Sequence, residues 1–340
     1  MILEAEMIKY IKIISILLII FILLSCTNEQ KKIKDLQVLI MRNANQISKD
    51  FRLYINVVEQ IADYTNKLFD SQDEILPEID ISRYKIHSSN VMYSEEDDNR
   101  SVVFVSGYNK INDLIKKHVY ITEPLDSIFI DFKNKFPEIY QFYYIDSNSF
   151  KRVYPPIDVL IHYQPNINFL NLNTYYTANK KFNPDRKPLW IKEPYINQFN
   201  KNLVISVLAP VYQKDNLKGV TGFDINANSI SQKWIKQSKD FKSFIMTSTG
   251  NIVTTDVNLS KLLNIPNISS PQFTTLSLNN NNAINEINLT KSKYIEVRNL
   301  ALKIISDEQY FITSLNDETY YVLCEKINLM DWILVYLVKK

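Results

Sequence analysis

Two runs of the chain, Leu203-Val-Ile-Ser-Val-Leu-Ala-Pro-Val-Tyr212 and Leu217-Lys-Gly-Val-Thr-Gly-Phe-Asp-Ile225, decide its fold. Both are rich in β-branched and apolar residues, as strands in the interior of a sheet are. The segment between them, Gln213-Lys-Asp-Asn216, is polar and contains residues that favour turns. The two runs therefore predict a β-hairpin in the middle of a sheet.

Further strand-like runs lie on both sides of this hairpin. Upstream, Ile139–Ile145 and Phe150–Tyr154 flank a turn-forming stretch, and the amphipathic run Leu125–Phe136 predicts a helix that Pro137 stops. Downstream, a helix is predicted over Ile230–Ser238. A second group of strand-like runs follows: Phe244–Thr247, Ile252–Thr255, Tyr310–Thr313, Glu318–Cys324 and Trp332–Val338. This order predicts an α+β fold with two antiparallel-sheet modules, each with helices on one side.

The N-terminal part predicts one long helix, because apolar residues recur at steps of three and four from Ile33 to Leu68. Roughly 35 residues at about 1.5 Å each make a rod of about 50 Å, which is longer than one module needs. The helix should therefore run along both modules or pair with a second copy. Packing on its own chain is favoured over a homodimer, because the stripe is not a strict heptad seam.

Composition argues against several classes of function. The 39 Lys+Arg and 37 Asp+Glu residues nearly balance, and no basic block is long enough to follow a phosphate backbone, so we expect no nucleic acid partner. Four glycines leave no room for a dinucleotide or phosphate-binding loop. The three histidines are isolated, and no base, nucleophile or metal-ligand set can be assembled. We therefore expect no enzyme, metal or cofactor.

The first residues resemble an export signal. A short apolar stretch from residue 11 to 24 follows a basic residue, and it falls short of the roughly 20 residues that span a bilayer. Leu23-Leu24-Ser25-Cys26 resembles a bacterial lipobox, which implies a signal peptide over residues 1–25 and a lipid on Cys26. An uncleaved anchor is the alternative, and translation begins at Met1 or Met7. Cys324 then remains as a buried thiol.

The centre of the chain resembles the double Cache family, the paired PAS-like sensor domains found outside bacterial membranes. Asn183-Pro-Asp-Arg-Lys-Pro-Leu-Trp190 leads into Glu193-Pro-Tyr-Ile196 and the hairpin described above, and Phe142-Tyr-Tyr-Ile-Asp-Ser147 precedes them. The resemblance extends over most of the chain from Ile33 onward. It implies a tether and long N-terminal helix over residues 26–68, a membrane-distal module over 69–238 and a membrane-proximal module over 239–340.

The resemblance also implies a ligand pocket in the distal module. Asp224 matches the carboxylate that holds a ligand ammonium in amino-acid-binding members, and Tyr195 matches an aromatic wall. A cation over Tyr195, Trp190 or Tyr176 would gain cation–π attraction. Arg186 is a candidate clamp for a carboxylate. Together these groups would hold a zwitterion.

Some of these roles have alternatives. Trp190 can instead belong to the Pro-Tyr segment, which leaves Tyr175 and Tyr176 as the upstream wall. Asp224 can instead be an acceptor for a turn or a helix cap. Arg186 can be a solvated surface charge.

We expect a lipid-anchored protein on the periplasmic or cell-surface side of a membrane. It would bind an amino acid, an amine or a carboxylate and act through a membrane receptor or transporter, because the sequence ends soon after the last predicted strand. The alternative is a surface interaction lipoprotein that uses the fold as a scaffold without a small ligand.

Overall fold

The computed structural model describes residues 2–95, 98–197, 199, 201–235, 238–255, 258–268 and 283–340, with side chains from residue 29 onward except residue 283. Within these residues, eight strands form an antiparallel sheet, called the first sheet, in the order β1-β2-β3-β5-β4-β8-β7-β6. In chain order they are β1 (Tyr84–Ile86), β2 (Met92–Ser94), β3 (Val102–Val105), β4 (Gln141–Asp146), β5 (Phe150–Tyr154), β6 (Leu189–Ile196), β7 (Leu203–Gln213) and β8 (Asn216–Asn226).

The C-terminal part forms the second sheet. Its strands in the described residues are β9 (Lys242–Thr247), β10 (Ile252–Thr255), β11 (Tyr310–Leu315), β12 (Glu318–Ile327) and β13 (Trp332–Lys339). They pair in the order β10-β9-β13-β12-β11, and every pairing is antiparallel. Each sheet with the helices packed on it is a module, and the two antiparallel modules confirm the α+β class that the sequence predicts.

A single long helix, α1 (Ile2–Asp70), precedes both sheets. Its apolar stripe is buried on its own chain, and Ile40, Phe51 and Ile61 are each at most 2% exposed. The stripe shares one core cluster with residues of the first and the second sheet, so the helix spans both modules as expected. The polar residues Glu29–Lys32, predicted as part of a tether, are helical too, because none of them is a helix breaker.

The remaining helices are shorter. They are α2 (Gln72–Ile75), α3 (Asp113–Ile121), α4 (Leu125–Lys135), α5 (Val159–His162), α6 (Asn173–Tyr176), α7 (Ala227–Trp234), α8 (Leu259–Leu262), α9 (Ala283–Glu286) and α10 (Ile295–Ile305), with 3-10 turns at Leu76–Glu78, Ile81–Arg83, Phe169–Asn171 and Leu289–Lys291. Helix α4 ends just before Pro137, as predicted. Helix α7 starts three residues earlier than predicted, because Asn226 caps it by accepting a 2.8 Å hydrogen bond from the Ser229 amide.

The predicted hairpin is confirmed as β7 and β8. It lies inside the first sheet, with β6 beyond β7 and β4 beyond β8. The connection is a two-residue turn in which Lys214 has a positive φ of 56°. The hairpin therefore contributes two long, buried strands to the middle of the fold.

In the part of the chain whose side chains the structure describes, no helix is long and apolar enough to cross a membrane. The predicted signal segment and Cys26 lie outside the residues whose side chains the structure describes. The described residues also contain no group of His, Cys, Asp and Glu side chains that could hold a metal ion.

Candidate ligand-binding site

A cavity of about 270 Å³ lies on the face of the first sheet that is turned away from α1. Strand alternation determines which residues reach it. On β8, Phe223 and Ile225 pack in the core cluster of α1, so Asp224 between them points to the other side. The lining residues are Tyr143, Lys151, Asn171, Leu172, Asn173, Thr174, Tyr176, Tyr195, Ile196, Asn197, Phe199 and Asp224.

Asp224 is the carboxylate of this cavity and is 1% exposed. Its Oδ1 accepts a 2.6 Å hydrogen bond from the Ser206 hydroxyl, and its Oδ2 accepts a 3.1 Å bond from the Asn197 amide. Burial raises the pKa of the Asp224 carboxyl above its ordinary value, while the positive charge of Lys151 and the hydrogen bonds act in the opposite direction. Asp224 does not cap α7, because Asn226 does so.

Tyr195 of β6 reaches the same carboxylate through a relay. Its hydroxyl lies 2.7 Å from the Ser206 Oγ. Because the Ser206 hydroxyl donates to Asp224, Tyr195 donates to Ser206. An irregularity in β6 between Ile191 and Tyr195 shifts the register with β7 and places Tyr195 opposite Val204. The relay fixes the orientation of the Asp224 carboxylate.

Lys151 of β5 supplies the positive charge of the cavity. It is 3% exposed, and its Nζ lies 4.8 Å from the ring centroid of Tyr143 and 5.4 Å from that of Phe199. Burial lowers the pKa of the Lys151 ammonium to about 8, with the Asp224 charge acting in the opposite direction. The Tyr143 ring can pack here because Gly222 has no Cβ, which would lie 2.9 Å from that ring. The cavity thus holds two opposite buried charges.

No protein-family model matches the sequence, and no curated protein matches it. Solved structures do match. The ligand-binding domain of the Pseudomonas fluorescens chemoreceptor CtaA in complex with L-serine aligns with a TM-score of 0.52 and 13% identity, over 90% of this chain and 96% of that chain. The L-alanine complex of the same domain gives 0.50 and 12%, with the same coverage. The amino acid chemoreceptor PctB of Pseudomonas aeruginosa with L-Arg also gives 0.50 and 12%, over 90% and 94%.

The chain has the double Cache fold. The resemblance noted in the sequence is thereby confirmed at the level of the fold. At 12–13% identity the likeness concerns the architecture, so each site residue has to be judged from its own position in this chain.

Within this double Cache fold, Tyr175 and Tyr176, which the sequence predicts as one wall of the pocket, occupy different environments. Tyr176, on α6, lines the cavity and is 41% exposed, so it forms part of the rim. Tyr175 is buried in the core cluster of the same face, where burial raises the pKa of its hydroxyl and the charges of Asp146 and Tyr212 add to this rise. The interpretation of Tyr175 as a ligand wall is therefore corrected, because neighbouring residues on a helical turn point in different directions.

Trp190 also requires a correction. Its ring packs on the α1 side of the first sheet, 4.8 Å from the Phe51 ring centroid and nearly perpendicular to it. Leu189 and Ile191, its neighbours on β6, pack on the opposite side. Strand alternation therefore turns Trp190 away from the cavity, and it is a core residue.

Arg186 lies in the loop before β6, and its side chain reaches the turn of the β7–β8 hairpin. Its guanidinium stacks 4.4 Å from the ring centroid of Tyr212 and pairs at 2.7 Å with Asp215. It is not among the residues that line the cavity. The interpretation of Arg186 as a carboxylate clamp is corrected, because its guanidinium packs on the Tyr212 ring and its N–H groups donate to Asp215 and to the Lys214 carbonyl.

Sequence reasoning missed Lys151 and Tyr143. A signal was present, because the run Phe150-Lys-Arg-Val-Tyr154 has two consecutive cations in a strand between apolar neighbours. Two adjacent cations in a buried strand must face opposite sides, and each needs a specific environment. Arg152 faces Asp126, while Lys151 faces the cavity.

Proposed function

We propose that the protein is an extracytoplasmic sensor or binding protein that holds a small metabolite in the cavity of its first module. The observation that carries this proposal is the convergence of Asp224, Tyr195 and Tyr176 on one hollow of about 270 Å³. This volume is just below the range of about 300–1,000 Å³ that drug-sized ligands occupy, so it favours a compact metabolite. The Asp224 carboxylate favours a ligand with an ammonium group.

The chemistry of the cavity is consistent with what the similar domains hold. Their solved structures contain L-serine, L-alanine and L-arginine, all of which carry an α-ammonium group. Asp224 is held by Ser206 and Asn197, so a bound ammonium meets a carboxylate that is already oriented. Preorganisation of this kind reduces the cost of binding.

A thermal-shift screen tests the proposal. The panel contains amino acids, polyamines and short carboxylates, each well above micromolar concentration. A ligand at about 100 times its Kd stabilises the native state by about 2.7 kcal/mol, which raises the melting temperature by several degrees. Asp224→Asn should abolish the shift and Arg186→Ala should leave it intact. Absence of any shift across the panel would contradict the proposal and favour a surface interaction protein that uses the fold as a scaffold.

We further propose that the protein is held at the membrane by a lipid on Cys26 and acts through a membrane receptor or transporter. The lipobox-like Leu23-Leu24-Ser25-Cys26 supports the anchor. Labelling of cells with radioactive palmitate should mark the wild-type protein, and Cys26→Ser should remove both the label and membrane association. Unchanged labelling of Cys26→Ser would overturn the anchor without affecting the ligand proposal.

A further inference from the structure

Lys151 places a buried ammonium group in the cavity. The Lys151 Nζ is surrounded by the faces of Tyr143, Tyr163 and Phe199 at 4.8, 5.7 and 5.4 Å from their ring centroids. Ring faces attract a cation but accept no ordinary hydrogen bond. In the described part of the chain, this ammonium donates no hydrogen bond and forms no ion pair within 4.0 Å. Its three N–H groups are therefore available to something in the cavity.

The charges of Lys151 and Asp224 determine which class of ligand the cavity can hold. Lys151 and Asp224 carry opposite charges in one buried hollow, yet no salt bridge joins them in the described residues. A buried charge without a partner is costly. A simple amine would satisfy Asp224 and leave Lys151 uncompensated, and a simple carboxylate would do the reverse. A ligand with one ammonium and one carboxylate satisfies both residues.

Building on the proposed function, we propose that Lys151 binds the carboxylate of a zwitterionic ligand whose ammonium is held by Asp224. The ligand class is therefore a free amino acid. The aromatic cage fixes the lysine instead of the ligand's cation, so Tyr143 and Phe199 act by positioning Lys151. Arg186, the carboxylate clamp expected from the sequence, takes no part because its guanidinium pairs with Asp215 in the hairpin turn.

Titration calorimetry with matched ligands tests this assignment. One set is L-serine, ethanolamine, which lacks the carboxylate, and 3-hydroxypropanoate, which lacks the ammonium. Parallel sets use L-alanine with ethylamine and propanoate, and L-arginine with agmatine. The wild-type protein should bind at least one amino acid about 10 to 100 times more tightly than its decarboxylated amine, as a charge-assisted hydrogen bond predicts.

Variants locate the effect at Lys151. Lys151→Met keeps an unbranched apolar stem and removes the charge, so it should weaken binding of the amino acid about 10- to 100-fold and leave the amine within about threefold. Lys151→Arg should retain the preference for the amino acid. Lys218→Met is the matched control, because Lys218 lies 5.8 Å from the Phe69 ring and outside the cavity lining. Circular dichroism establishes folding, and Lys151→Gln replaces Lys151→Met if the latter is unfolded.

The outcomes separate the two proposals. Equal affinity for an amino acid and its amine, or an unchanged preference in Lys151→Met, overturns the role of Lys151 while Asp224-dependent binding keeps the proposed function. If no member of the three sets binds, the assignment of Lys151 to a free amino acid is overturned, whereas the proposed function falls only if the wider thermal-shift panel also gives no shift.

Discussion

Ser206 and Asp224 lie directly opposite each other on β7 and β8, and the Ser206 hydroxyl donates a 2.6 Å hydrogen bond to Oδ1 of Asp224. This bond favours the ionised carboxylate and so counteracts the effect of burial on its pKa. Asp224 must be ionised to hold an ammonium group. The affinity for an amine-bearing ligand should therefore fall as the pH drops through the raised pKa of Asp224.

Ser206→Ala removes that bond, and the pKa of Asp224 should rise further. We expect the acid midpoint of ligand affinity to move to higher pH and the affinity at neutral pH to fall about 10- to 100-fold, which corresponds to one hydrogen bond to a charged group. Calorimetry over a series of buffers from acid to neutral pH measures both effects. Ser127→Ala is the control, because the Ser127 hydroxyl donates to the Pro124 carbonyl and the residue is not among those that line the cavity. An unshifted midpoint in Ser206→Ala would contradict this account.

Lys151 should make the stability of the fold depend on pH in the alkaline range. Burial lowers its pKa from 10.5 to about 8, so between these values the unfolded chain binds a proton that the folded chain does not. The free energy of unfolding should therefore rise with pH across this window. Lys151→Met should remove this rise and increase the free energy of unfolding at neutral pH by about 1–3 kcal/mol.

Urea unfolding at several pH values measures this effect. The titratable groups that face Lys151 are Asp224, Tyr143 and Tyr163, and burial raises the pKa of each of them. The difference between wild type and Lys151→Met at each pH isolates the lysine. A Lys151→Met curve parallel to that of the wild type from about pH 8 to 10.5 would show that the ammonium is not buried at this cost.

Substitutions of Trp190 and Tyr176 should have different effects on the free energy of unfolding and on ligand affinity. Trp190 is buried against Phe51, so Trp190→Ala should lower the free energy of unfolding by about 3–5 kcal/mol, as loss of a large core side chain does. Tyr176 lies at the cavity rim, so Tyr176→Ala should cost less than about 1 kcal/mol and weaken ligand binding severalfold. Denaturant unfolding measures the free energy of unfolding of both variants, and calorimetry measures their ligand affinity. The opposite pattern would return Trp190 to the ligand site.

Much of the fold follows from local pattern, whereas the site follows from it only in part. The hairpin, the long helix and both sheets could be predicted because strand and helix periodicities are properties of neighbouring residues. The role of Asp224 could be predicted from the sequence because this residue lies in the same hairpin. Trp190 was misassigned although it lies five residues before Tyr195, an odd separation that by strand alternation places the two rings on opposite faces of the sheet. Lys151 was missed because its partners, Tyr143 and Phe199, become neighbours only when the sheet and the loop after β6 come together.

Strand β6 connects the cavity to the second module, and this connection yields a last prediction. Glu193 lies on β6, two residues before Tyr195 of the cavity. It accepts 2.9 Å hydrogen bonds from Thr249 and Asn251 in the β9–β10 turn. The indole of Trp332 in β13 also donates a 2.8 Å bond to the Lys192 carbonyl. Because β6 takes part in both modules, a ligand that fixes Tyr195 should slow amide hydrogen exchange in β9 and β10 as well as in the first sheet.

Glu193→Ala should break this coupling by removing both bonds to the β9–β10 turn. We expect ligand affinity to remain within about twofold, while protection of β9 and β10 on ligand binding is lost and the free energy of unfolding falls by about 1–3 kcal/mol. Hydrogen exchange with mass spectrometry, with and without ligand, reads both modules in one experiment. Glu318→Ala is the control, since its partners Tyr320 and Lys339 belong to the second sheet. If β9 and β10 in Glu193→Ala still become protected on ligand binding as in the wild type, the coupling between the modules does not depend on Glu193. Helix α1 is then the next candidate, because its core cluster includes residues of both sheets.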